Sequence, residues 1–327
     1  PHPVNIPSLS IGDRVQDPFL VLDVERHAQE NGSPYTLLVL GNRTGRISSA
    51  PFWLDQQHVV AGIARNQVVQ IIGEVKTYRD RKQLDVTSIR VLPRDSVDLA
   101  QLLPSVGDVS RYWETLDGWR RELTKPRLAR VLDLFYRDDD FRRRYGECPA
   151  SLAGHHAALG GLLKHTVEVG AIARTIGRAA GADAELVMAG VLLHDIGKIE
   201  AYRWDGAFDY TDSHHLLGHV VLSSLMLDRR IAQEREPPCT DRERAILHHL
   251  ILSHHGRLEY GSPVRPVMLE AEVLHWADNA SARTASMAEA LRDPDAFAEG
   301  GLVSQRRFWE LDQRRVYRGT SDWGKGV

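Results

Sequence analysis

A chain of 327 residues, 43% of them hydrophobic and 26% charged, is long enough to bury two separate cores. Its formal net charge of −3 excludes a global attraction to nucleic acid, so any strand binding must come from local basic patches. Two cysteines, Cys148 and Cys239, exclude a disulfide scaffold and read as reduced, packed thiols; no apolar run nears a membrane span and residues 1–10 carry no signal-peptide pattern, so a cytoplasmic protein without a membrane partner is expected.

The first ninety or so residues are β-rich. Val21–Val24, Tyr35–Leu40, Arg46–Trp53, Gln67–Val75 and Gln83–Leu92 are short strand segments separated by turn signals such as Asn31-Gly32-Ser33-Pro34 and Gly41-Asn42. With a short helical break near Leu54–Ala61, they predict a five-stranded OB-type barrel over residues 1–94. Such barrels bind single strands by stacking bases on aromatic rings in a basic groove. Tyr35, Phe52, Trp53 and Tyr78, with Arg43, Arg46, Lys76, Arg79, Arg81 and Lys82, are the candidates for that role. The alternative for the rings is core or hinge packing, and for the charges plain loop solvation.

Residues 95–148 read as a helical connector, in which Trp113, Leu116, Trp119 and Leu123, then Leu128, Val131, Leu132 and Phe135, recur at spacings of three or four. These stripes are docking faces. Asp138-Asp139-Asp140 followed by Arg142-Arg143-Arg144 is a mixed run of the kind that solvates a surface.

From residue 149 onward the chain changes character. Twelve of the fifteen histidines lie between residues 155 and 275, and with Asp195 and Asp278 they suggest metal chemistry, since imidazole and carboxylate together suit Mn, Fe, Co, Ni or Zn. His194-Asp195 closes an apolar helical stretch, Ala184–Leu193, behind the N-cap Asp183. A carboxylate there is costly to bury unpaired, and a cation compensates it. His165 projects from a segment flanked by Leu162-Leu163 and Val167, Val169 and Ile172. Another helical run, Ile246–Leu252, leads into His254-His255 before a stopping glycine, Gly256. Asp278 falls in the helical segment Ala271–Ala280, and the tail, Gln305–Arg318, mixes arginines with Phe308, Trp309 and Tyr317; it is expected to be a helix packed on the surface, with contact to a nucleic-acid strand as the alternative.

The ordered series His165, His194-Asp195, His219, His254-His255, Asp278 resembles the HD-domain metal-dependent phosphohydrolases. Three longer strings resemble the YhaM-type 3′-to-5′ exoribonucleases more narrowly: His155-His156 through Gly160-Gly161-Leu162-Leu163-Lys164-His165-Thr166, Leu192 to Lys198, and Leu252 to Gly256 running on to Val264. The resemblance implies an OB-type barrel, a helical connector and an all-α HD domain over 149–327. The activity it implies is metal-dependent 3′-to-5′ cleavage of single-stranded RNA to nucleoside monophosphates, with single-stranded DNA and a homo-oligomer left open. His165, His194, Asp195 and Asp278 would hold one divalent ion, and Asp195 would bridge to a second at His219 and His254. Manganese is the expected metal, with Fe, Co, Ni, Zn and Mg as alternatives. Lys198 would bind a nonbridging phosphate oxygen, and His255 would either ligate or protonate the leaving 3′ oxygen. Because neighbours on a helix point apart, His254 is assigned to the metal ahead of His255. The chain departs from the family pattern at Lys164, Ala158 and His214-His215, which bears on the choice of RNA over DNA. Two other readings stand: an HD phosphodiesterase of cyclic dinucleotides or free nucleotides with a regulatory barrel, and a noncatalytic nucleic-acid binder.

Overall fold

The computed structural model describes residues 3–78, 81–152, 154, 156–293 and 296–319. Its contacts divide into two compact units, residues 1–105 with 203–209, and residues 106–202 with 210–327.

In the first unit, β1 (Arg14–Ala28), β2 (Pro34–Asn42), β3 (Gly45–Ser49), β4 (Val68–Tyr78) and β5 (Arg81–Leu92) close into a barrel in the order β1-β2-β3-β5-β4. This is the five-stranded OB-type arrangement. Strand β1 is far longer than Val21–Val24 because it serves two partners. Arg14–Leu20 pairs with β4, Leu20–Ala28 pairs with β2, and the register shifts between Val21 and Asp23 where the strand bends from one to the other. The polar stretch Arg14–Asp17 is held by the β4 ladder, which leaves no apolar alternation to read. Phe19, Val21, Leu38, Leu40, Val69 and Ile71 fill the interior. Phe19 is fully buried, so its truncation to alanine would destabilise the barrel by about 3–5 kcal/mol. Strand β3 stops at Ser49, short of the expected Trp53. The chain then returns so that Phe52 bridges Thr36 and is buried, whereas Trp53 stays 43% exposed. A 3₁₀ turn, Leu54–Gln56, leads into the short α1 (Gln57–Val60), and Val60 and Ile63 close one end of the core. Residues 203–209 count with this unit, where Ala207 donates its backbone N–H to Asn66 Oδ1 at 2.7 Å.

The second unit is helical: α2 (Ser110–Arg121), α3 (Pro126–Tyr136), α4 (Asp139–Glu147), α5 (Gly161–Ala180), α6 (Ala184–Leu193), α7 (Lys198–Ala201), α8 (Asp212–Ala232), α9 (Asp241–Ser253) and α10 (Leu269–Arg292). A two-stranded hairpin, β6 (Tyr202–Arg203) with β7 (Asp209–Tyr210), lies between α7 and α8. Helix α6 has the predicted limits and cap, with the Asp183 carboxylate accepting from the N–H groups of Glu185 and Leu186. It is apolar nearly all round, and it is buried accordingly among α5, α9 and α10. Of the connector stripes, Leu116, Val131, Leu132 and Phe135 are buried, and Trp113 joins Tyr136, Phe141 and Tyr145 in one aromatic cluster. Tyr136 Oη donates to the carbonyl of Leu192 at 2.7 Å and so anchors the last turn of α6, two residues before His194.

The tail is not the expected helix. Asp312 and Gln313 both take positive φ, 54° and 59°, which reverses the chain after the 3₁₀ turn Trp309–Leu311. Phe308, Leu311 and Val316 instead join Ala290, Ala296 and Phe297 in a small core of their own. Among the described residues no helix is long and apolar enough to cross a membrane.

Candidate active site

His194 and Asp195 occupy the turn between α6 and α7. Gly197 follows because the turn crosses α8 closely: a Cβ there would lie 2.3 Å from Ser223 N and 2.6 Å from the carbonyl oxygen of His219. This crossing brings α8, and with it His219, against the His-Asp pair. His165 arrives from α5, Asp278 from α10, and His254-His255 from the end of α9.

Asp195 lies at the centre and is 1% exposed. Its Oδ2 sits 3.3 Å from His194 Nε2, 3.7 Å from His165 Nε2 and 2.7 Å from Lys198 Nζ. Its Oδ1 faces the other way, 3.3 Å from His219 Nε2 and 3.8 Å from His254 Nε2. His165 Nε2 also meets Asp278 Oδ1 at 3.0 Å. The donors thus form two groups, His165, His194 and Asp195, and His219, His254 and His255, with the ligand atoms of each group within 4.8 Å of one another. The two oxygens of one carboxylate are shared between them.

The expectation that His254 and His255 diverge does not describe the molecule. Helix α9 ends at Ser253, so the two histidines lie in the turn that follows and the 100° step of a helix does not separate them. Their ring centroids are 4.2 Å apart. Gly256, at φ 78°, completes the turn in a position where a Cβ would strike the His275 ring at 2.3 Å.

Four of the candidate ligand rings are oriented from behind. His194 Nδ1 donates to the carbonyl of Val191 at 2.8 Å and His254 Nδ1 to that of Ile251 at 2.6 Å, which fixes Nε2 as the atom presented to the centre. His255 Nδ1 donates to the carbonyl of Tyr260 at 2.6 Å. His165 differs, because its Nδ1 pairs with a side chain, Ser281 Oγ, at 3.2 Å. Ser281 in turn donates to Glu168 Oε2 at 3.2 Å, and His156 Nε2 holds that same oxygen at 2.7 Å. His249, outside the cluster, accepts the backbone N–H of Val267.

Protonation follows from burial and charge. Burial holds His165, His219 and His254 below the usual imidazole value, and so keeps them in the neutral form that ligates. His194 is likewise buried, but the Asp195 charge overcomes this and raises it. Asp195 and Asp278 stay ionised against their own burial, the first through Lys198 and His194 and the second through His165. Lys198 is buried too, and the Asp195 charge keeps it protonated.

Four buried atoms at the centre, His194 Nε2, Asp195 Oδ1, His219 Nε2 and His254 Nε2, have no hydrogen-bond partner among the described residues. Left unpaired, each would destabilise the fold by roughly 1–3 kcal/mol. Imidazole nitrogens and a carboxylate oxygen left unpaired in both donor groups fit divalent cations.

The centre opens into a cleft of about 600 Å³, whose wall includes His165, Lys198, His219, His255 and Asp278. Tyr202, Tyr210, Tyr260, Arg283 and Trp309 share that wall, and the sequence reasoning missed all of them as site residues. Trp309 carried a signal as a ring among arginines in the tail, and Tyr260 lies within the Leu252–Val264 string that resembles the family. His214, one of the departures from the family pattern, stacks on Tyr210 with centroids 3.8 Å apart.

On the barrel the proposed strand-binding residues fall in two places. Tyr35 stacks on His27 at 5.2 Å and packs against Trp53 at 5.4 Å, beside the turn joining β1 and β2. Tyr78 and Arg81, both exposed, flank the turn joining β4 and β5. Lys76 pairs with Asp85, Lys82 Nζ donates to the carbonyl of Leu9 at 2.6 Å, and Arg46 is exposed on β3. Arg79 and His155 lie outside the described residues. The two turns correspond to the loops by which OB barrels engage oligonucleotides.

Comparison with known proteins agrees with this geometry. The HD domain family matches residues 162–283, the span that carries every donor of the cluster, and with it comes divalent-metal binding. The 3′-5′ exoribonuclease YhaM of Shouchella clausii is 33% identical over 323 residues, 94% of each chain. That of Bacillus subtilis is 30% identical over 315 residues, 95% of this chain and 96% of its own. Among solved structures, the second OB-fold domain of replication protein A from Methanococcus maripaludis covers 27% of this chain and 93% of its own, at 17% identity and a TM-score of 0.22. The barrel assignment rests on strand order instead. With relatives this similar over nearly its whole length, and the HD donor series intact, the chain belongs to the YhaM family of 3′-5′ exoribonucleases.

Proposed function

We propose that this chain is a metal-dependent 3′-to-5′ exoribonuclease that hydrolyses single-stranded RNA, and single-stranded DNA as a second substrate, to nucleoside monophosphates. The observation that carries the reading is Asp195, one carboxylate turned by its two oxygens toward two separate histidine groups. In this reading His165, His194, Asp278 and Asp195 would hold one divalent ion, and His219, His254 and His255, with Asp195 shared between the groups, would hold another. Divalent ions at these positions, manganese in our reading, would lower the pKa of water and neutralise charge on a scissile phosphate.

The chain's own groups do the rest. The Nδ1 bond of His255 to the Tyr260 carbonyl leaves Nε2 as the ring atom available to ligate, and its grouping with His219 and His254 supports a ligand role. Lys198 places an ammonium in the cleft wall beside Asp195, where it meets a nonbridging oxygen as charge builds there. Tyr35, Trp53, Tyr78 and the basic residues near the β4–β5 turn would engage the strand by base stacking and charge.

A manganese-supplemented time course on 5′-labelled single-stranded RNA tests the proposal, beside Asp195→Ala and an EDTA control. The expected result is a ladder descending by single nucleotides that requires both Asp195 and metal. An intact strand, with turnover of cyclic dinucleotides, would move the function to a small-nucleotide phosphodiesterase.

A further inference from the structure

We propose, resting on the exonuclease reading, that Tyr260 and Trp309 form a stacking subsite for the bases at the 3′ end of the strand. Both rings share the wall of the cleft with His165, His219, His255 and Asp278, yet Trp309 is 67% and Tyr260 56% exposed. Large aromatic rings left in water beside a reaction centre lose apolar burial that the core could have supplied.

Neither ring is placed loosely. Trp309 opens the 3₁₀ turn whose Leu311 is buried in the tail's own small core. Arg283, on α10 five residues after Asp278, binds both carboxylate oxygens of Asp312, at 2.6 and 3.0 Å, and so fastens that turn to the helix bearing a candidate ligand. Tyr260 ends the turn Leu258–Tyr260, and its carbonyl accepts the Nδ1–H of His255. Each ring is therefore registered to the metal cluster through a single intervening contact. The cleft volume lies within the range of small-molecule sites and suits terminal nucleotides rather than a helix. Stacking also suits the task, because every base has a π face and a trimming enzyme must accept whichever nucleotide arrives next.

The test uses the full manganese-loaded chain and a short ribo-oligonucleotide, compared with the same strand lacking its 3′-terminal bases. Trp309→Ala and Tyr260→Ala should each raise KM for the normal strand about tenfold, with the effect on KM rather than kcat, as expected for uniform binding. Trp309→Phe should restore it. The strand without terminal bases should bind wild type more weakly than the normal strand binds either single alanine variant, because it loses both stacks, and neither alanine variant should weaken it further. Equal KM for the two strands in wild type, or an equal loss for both in the variants, overturns the subsite while leaving the exonuclease intact. If wild type does not shorten the strand, the exonuclease reading fails. Fluorescence anisotropy on the same molecules then decides the subsite alone: affinity that depends on both the terminal bases and Trp309 sustains it, and affinity indifferent to either overturns it.

Discussion

Ser281→Ala should weaken metal binding at the His165 side of the centre without touching a ligand. The other buried ligands, His194 and His254, take their orientation from backbone carbonyls that no substitution removes. His165 leans instead on side chains, through Ser281 to Glu168 and His156. Partners of this kind typically contribute 10–100-fold to metal affinity. The Ser281–Glu168 link, at 3.2 Å, is longer than the usual 2.5–3.0 Å of an O–H···O bond, and the His165–Ser281 link, also 3.2 Å, lies at the long end of the N–H···O range, which places the effect at the lower end. The expected loss is about tenfold, ~1.4 kcal/mol, confined to one of the two ions. Glu168→Gln keeps the shape but removes the charge, and should fall between wild type and Ser281→Ala. Competition of apo protein with a fluorescent chelator for Mn²⁺ measures this directly, and thermal melting of the apo proteins checks that the fold is intact. Unchanged affinity in both variants would show that His165 is oriented by packing alone.

Three further outcomes follow from the geometry. Tyr35→Ala combined with Trp53→Ala should weaken binding of long single strands by about tenfold, from base stacking of ~1–3 kcal/mol per base, and leave short strands unaffected; equal affinity for long strands would remove the barrel's assigned role. Gly197→Ala should destabilise the protein by about 1–3 kcal/mol in chemical denaturation, since its Cβ would overlap Ser223 N and the His219 carbonyl, and an unchanged midpoint would show that α8 can yield there. The apo protein should also lose stability on acidification. Burial depresses the folded-state values of His165, His219 and His254, while His194 alone is raised, so the unfolded chain takes up protons near pH 6.5 that the folded chain refuses. The contribution is full above about pH 6.5 and declines as pH falls toward the depressed values. Melting temperatures of metal-free protein across pH 5.5–7.5 that stay level would contradict this, whereas saturating metal should flatten the dependence.

The inventory of the centre was legible in the residues themselves. Metal chemistry restricts ligands to a few side-chain types, and a charged Asp195 behind Val191-Leu192-Leu193 is difficult to account for without a compensating partner. The limits of α6, its Asp183 cap and the stop at Gly256 were equally readable, because capping and chain reversal depend on residues within a few positions of one another. Five strands were visible, but not the length of β1, whose polar half is specified by its partner in the ladder.

What the tertiary structure alone decided was direction. Periodicity reports the face of a helix on which a residue lies, and it cannot report which oxygen of Asp195 meets which imidazole, since that depends on how α5, α6, α8, α9 and α10 cross. The convergence of His254 with His255 required knowing that α9 ends one residue earlier. The tail offered neither period nor cap, and only its own small core and the Arg283–Asp312 pair carry Trp309 to the cleft. Local chemistry thus named the candidate donors, and long-range packing, which has no signature in local spacing, assigned each of them its place.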